Sequence, residues 1–132
     1  MTSVRRRSVY VESFGHVNPI PAACRIGSLL MSGVITGRDR ASGGMPAAIE
    51  DQCTQMFRIV REIVEAAGGT PADIIKMTVW LRDPGNRDAL NAEWLKLFPD
   101  PGSRPARHTL PLAGGGDSLV QCDITAVIEP AS

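Results

Sequence analysis

The residues best equipped for chemistry lie in the last third of the chain. From Leu119 to Glu129 apolar and polar positions alternate. A period of two puts Val120, Cys122, Ile124, Ala126 and Ile128 on one strand face, suited to a helix layer. Gln121, Asp123 and Thr125 share the other face, between Leu119 and Val127. That face meets something polar, and a cleft or a subunit interface would serve. A carboxylate can take a proton from water, whereas an amide only orients it. Upstream, the segment Arg107 to Leu112 is extended, with Arg104-Pro105-Ala106 just before it. A guanidinium there offers a planar fork that fits a carboxylate. Strand alternation turns His108 away from Arg107, so His108 is expected to be structural or at the surface. Cys24, Cys53 and Cys122 are odd in number and far apart, which indicates neither a disulfide framework nor a zinc site. Cys122, on the apolar face, reads as core rather than nucleophile. Gly114-Gly115-Gly116 lacks the lysine and following helix of a phosphate loop and reads as a turn.

These residues sit in a chain of 132, expected to form a single domain over 1–132 with a core of its own. Hydrophobic residues are 43% and charged residues 21%, with 14 basic against 14 acidic side chains. Zero net charge argues against a nucleic-acid-coating surface, which must be positive to release counterions. It also argues against a membrane-surface role. Arg5-Arg6-Arg7 is followed by no apolar run, so neither a signal peptide nor a transmembrane segment is expected. Unpaired cysteines fit a reduced, cytoplasmic setting.

The elements that must position these residues are short strands and two helices. Ser8 to Glu12 is expected as a first strand. Cys24–Ile26 and Leu29–Ser32 form a hairpin turning at Gly27-Ser28. Ile49, Cys53, Met56, Val60, Ile63, Val64 and Ala67 repeat at three and four residues, an amphipathic helix stopped by Gly68-Gly69. Thr70-Pro71 caps a single turn. Ile74 to Leu81 reads as a strand. Asn86 is expected to cap a helix from Arg87 to Phe98, with Leu90, Trp94, Leu97 and Phe98 buried and Pro99 and Pro101 ending it. Arg107–Leu112 and Leu119–Glu129 complete the order β, β, β, α, β, α, β, β. This is an α+β domain with two helices on one face of a mixed sheet. Leu29, Met31, Met77, Val79 and Leu119 give more apolar strand surface than two helices cover, which calls for burial in an oligomer.

Read together, the segments resemble the Rid (RidA/YjgF) family. Asn18-Pro19-Ile20-Pro21-Ala22-Ala23 with Arg25 to Gly33 is similar to its first strand pair and Ser-Gly. Ala66 to Gly69 with Asp73 to Asp83 resembles its central helix and strand. Leu90 to Trp94 with Phe98 resembles its second helix, and Arg104-Pro105-Ala106-Arg107 its most recognisable short motif. The match runs from about Asn18 to Ile128. The resemblance implies a chorismate-mutase-like fold and a homotrimer whose sheets form a central barrel, with clefts at subunit boundaries. It implies hydrolysis of small reactive enamine or imine acids to 2-keto acids and ammonia, with no metal or organic cofactor. Arg107 matches the arginine that holds the substrate carboxylate. Ser32 and Asn91 match residues lining the cleft. Thr109 stands where relatives often carry a cysteine whose backbone binds the carboxylate. Arg104 is expected to be structural.

Two positions depart from the pattern. Gln121 replaces a glutamate thought to position the attacking water, and losing general-base help costs roughly 10²–10⁴ in rate. Asp123 shares its face but lies about 6–7 Å further along the strand. Ile20 replaces a tyrosine, leaving the pocket mouth more apolar. Three readings follow: an imine deaminase, including one adapted to an aminomuconate-type enamine; a non-catalytic binder of small carboxylates; and a ribonuclease, against which the charge balance weighs.

Overall fold

The computed structural model describes residues 5–15, 18–114 and 116–129. Gly115 of the glycine run lies outside them. The elements are β1 (Arg6–Val9), β2 (Ala23–Ile26), β3 (Leu29–Ser32), β4 (Ile35–Thr36), α1 (Ile49–Ala66), β5 (Ile74–Leu81), α2 (Arg87–Leu97), β6 (Ala106–Pro111) and β7 (Val120–Val127). They form one seven-stranded sheet in the order β1-β2-β3-β7-β5-β6, with β4 also on β7. Only β5 and β6 are parallel. Parallel neighbours need a crossover, and α2 supplies it, running antiparallel to both strands.

The hairpin, α1 and β5 form where the sequence places them. Gly27 turns the hairpin at φ 57°, and Gly68 stops α1 at φ 94°, both in the left-handed region that glycine enters without a Cβ penalty. Thr70 and Asp73 close a capping box on the turn Pro71–Asp73.

The two helices cover the sheet face that carries Leu30, Met77, Val79, Leu81, Val120, Cys122, Ile124 and Ala126, all buried. The opposite face is open. There Ile26, Leu29, Met31 and Val127 are 38%, 46%, 56% and 39% exposed. The expectation of uncovered apolar strand surface holds for Leu29 and Met31. Met77 and Val79 are instead fully buried under the helices.

Three further expectations are corrected. The first strand is Arg6–Val9 rather than Ser8–Glu12, because its backbone pairing ends where Val9 meets Ala23. Ile35–Thr36 adds a fourth strand before α1, too short to show alternation. Asn86 precedes α2 without a side-chain cap bond; Asp83 instead accepts from Gly85 N and caps the turn Pro84–Asn86.

Candidate functional site at the β6 edge

Arg107 lies on β6, the edge strand, opposite Met77 of β5. Paired strand residues point to the same side of a sheet, so Arg107 faces the helix layer, as Met77 does. Its guanidinium carbon stands 4.9 Å from the centre of the Trp94 ring. Trp94 is fixed in turn by Phe98, edge to face, with ring centres 4.8 Å apart. This brings cation–π attraction and rotational restraint to a long side chain. Nη1 of Arg107 is buried and has no hydrogen-bond partner. Burial lowers the pKa of Arg107, and the charge of Arg87 lowers it further. The ion pairs among the described residues, Arg38–Asp117 and Lys96–Glu93, involve neither arginine. Arg107 is a cation held in place with donors to spare.

Thr109 pairs with Val79 and so shares the face of Arg107. On α2, Asn91 is half-buried and precedes Trp94 by three residues. Because α2 runs opposite to β6, Asn91 advances from Trp94 in the direction that Thr109 advances from Arg107. The fold thus gathers Arg107, Thr109, Asn91 and Trp94 along one seam between β6 and α2. Trp94 was legible only as a core residue. His108 pairs with Thr78, facing the open side, and is exposed. Arg104 donates to the carbonyls of Phe98 and Pro99, at 2.8 and 3.2 Å, and ties down the end of α2.

Gln121 and Asp123 are not part of this seam. Gln121 pairs with Trp80 and Thr36, and Asp123 with Thr78. Trp80 is three residues from Met77, so Gln121 and Arg107 are on opposite faces of the sheet. Burial raises the Asp123 pKa, while Lys76 on the neighbouring strand pulls it down. Ser32 is engaged locally: its Oγ accepts from Ile124 N at 2.9 Å and donates to Gly33 O at 2.8 Å. Ile20 is exposed in the loop between β1 and β2.

Other features offer less chemistry. Burial pushes the Cys53 thiol up to about 12, helped by Glu93 and Glu50. Burial also pushes the Cys122 thiol up. Neither is a nucleophile at neutral pH. No cluster of three metal-ligating side chains occurs among the described residues. A groove of about 400 Å³ lined by Glu12, Ser13, Asp39, Arg40, Gln55 and Arg58 contains none of the seam residues. Its Arg40 already donates to the carbonyls of Glu12 and Phe14. No helix among the described residues is long and apolar enough to cross a membrane.

The family described as Endoribonuclease L-PSP matches residues 18–128. A RutC family protein of Haemophilus influenzae is 33% identical over 99 residues, covering 74% of this chain and 76% of that protein. A 2-iminobutanoate/2-iminopropanoate deaminase of Dermatophagoides farinae is 28% identical over 98 residues, covering 74% and 75%. The crystal structure of E. coli TdcF with bound serine superposes with a TM-score of 0.84 at 25% identity, covering 92% of this chain and 98% of that one. The E. coli YjgF gene product superposes at 0.83 with 25% identity, covering 92% and 98%. With the seam residues inside the matched span, this chain belongs to the Rid (YjgF-like, Endoribonuclease L-PSP) family.

Proposed function

We propose that the protein is a Rid-family deaminase that hydrolyses small 2-imino or enamine acids in clefts between subunits. The reaction is R–C(=NH)–COO⁻ + H2O → R–CO–COO⁻ + NH3. One observation carries the reading: the buried, unpartnered Nη1 of Arg107, on a guanidinium fixed against Trp94. A buried donor without an acceptor costs about 1–3 kcal/mol. A bound carboxylate supplies that acceptor and takes the fork in a fixed orientation. Asn91 and Thr109 border the same seam and serve the rest of the substrate.

Water must then reach the imine carbon. Gln121 is the group assigned to hold it, with Asp123 one step further along the strand. Arg107 and Gln121 face opposite sides of one sheet, so they meet only when two copies associate. The two surfaces differ, which makes the contact head-to-tail and favours a closed ring. A cyclic homotrimer with the open sheet faces inside, in a central barrel, satisfies this. It also covers Ile26, Leu29, Met31 and Val127. The setting is the cytoplasm and the partner a small carboxylate; nucleic acid is not expected.

The test is to generate 2-iminopropionate in situ with an amino-acid oxidase and follow its loss. Acceleration over spontaneous hydrolysis is expected. Arg107→Ala should abolish it, and Gln121→Glu should raise it by restoring a proton acceptor. No acceleration by the unaltered protein would sink the deaminase reading. Gln121 favours a second reading, a non-catalytic sensor of 2-keto acids in the same cleft. That reading expects keto-acid binding that needs Arg107, with no hydrolysis in the unaltered protein.

A further inference from the structure

Arg87 opens α2 and is exposed. It precedes Asn91 by four residues and Trp94 by seven, so all three share one stripe of the helix. Seven residues span about 10 Å of helix axis. Because α2 runs opposite to β6, Arg87 stands at the end of the seam toward which β6 runs from Arg107 through Thr109. Its charge is close enough to act on that of Arg107. No acid pairs with either guanidinium among the described residues. Asp88 is a quarter-turn around the helix, and one oxygen of the exposed Asp83 carboxylate accepts from Gly85 N. The half-buried Arg107 and the exposed Arg87 thus line one seam, and no ion pair among the described residues joins either to an acid. A single carboxylate at Arg107 leaves the other uncompensated.

We propose that this seam takes dianions: Arg107 holds the carboxylate next to the imine, and Arg87 holds a second carboxylate at the far end of the substrate. The substrate class is therefore the 2-imino or enamine dicarboxylates, and the products are 2-oxo dicarboxylates. The reaction rests on the deaminase reading; the binding preference does not. A charge-assisted hydrogen bond to a distal carboxylate is worth about ten- to a hundredfold in affinity.

The test uses stable ketones in place of imines. Titration calorimetry compares 2-oxoglutarate with 2-oxobutyrate on the unaltered protein, on Arg87→Gln and on Arg58→Gln. Arg58 is exposed on α1, and its substitution removes a charge elsewhere. The dicarboxylate should bind at least tenfold more tightly, and Arg87→Gln should remove most of that ratio while Arg58→Gln leaves it. Equal affinity for the two ketones, a preference that survives Arg87→Gln, or no 2-oxoglutarate binding at millimolar concentration would overturn the proposal. The imines of glutamate and alanine, generated by oxidases, separate this from the deaminase reading. Hydrolysis of both without any effect of Arg87→Gln on their ratio overturns the dianion site alone. Arg87-dependent preference for 2-oxoglutarate without hydrolysis of either imine overturns the deaminase reading alone.

Discussion

At the scale of residues, burial without partners marks the groups that await something. Arg107, through its buried Nη1, is one; the half-buried Asp123, opposite in sign, has the charge of Lys76 acting on it. Burial disfavours the charged form of each, lowering the arginine pKa and raising the aspartate pKa. For Asp123 the folded-state value lies above the ordinary value of about 3.9. Ionisation therefore costs the folded chain more than the unfolded one. The penalty is absent when both states are protonated, grows as pH rises past the unfolded value and is complete above the folded one. Asp123→Asn should raise the melting temperature near pH 7, with the gain shrinking to nothing by about pH 3. A gain equal at both pH values would point to packing instead. The sequence revealed Arg107 through its motif. The support from Trp94 and the charge of Arg87 were not legible as such, because those contacts join residues distant in the chain. The spacing of Arg87, Asn91 and Trp94 was visible, but without α2 docked beside β6 it had no meaning.

At the scale of elements, long periodic segments were legible and short ones were not. The apolar stripe of α1 and the hairpin glycine carry enough local signal to fix both elements. A two-residue strand such as β4 carries none; its position is set by pairing to β7 and by close packing on α1. Gly37 follows β4, and a Cβ there would stand 2.6 Å from the Cα of Gln52, against backbone that cannot yield cheaply. Gln52 is itself pinned: its buried amide donates to Pro46 O and Asp117 O and accepts from Leu119 N. Gly37→Ala should cost about 1–3 kcal/mol by forcing β4 and α1 apart, read as a lower denaturant midpoint at unchanged slope. A neutral substitution would show that β4 sits more loosely than this packing requires.

At the scale of the whole molecule, the open apolar face decides the state of assembly. A surface of this kind on a free monomer invites association. Sizing is expected near 42 kDa, three times the chain mass of 14.1 kDa. Met31→Glu, which puts a charge at the middle of that face, should shift the protein toward 14.1 kDa and remove imine hydrolysis with it. A clean monomer that hydrolyses imines would overturn the shared cleft. The sequence indicated the need for a partner through its surplus of apolar strand positions. That Arg107 takes the helix side, opposite to Gln121, became plain only with the register of β5, β6 and β7.

The separation of Arg107 and Gln121 onto opposite faces also has a genetic consequence. With clefts formed between subunits as proposed, a lesion at either position would damage a different half of each. Co-expressed subunits, one carrying Arg107→Ala and one a disabling change at Gln121, can assemble mixed rings. In such rings some clefts receive both intact halves, about one in four for random mixing at equal abundance in a head-to-tail ring. Two inactive alleles would then complement each other within a single protein.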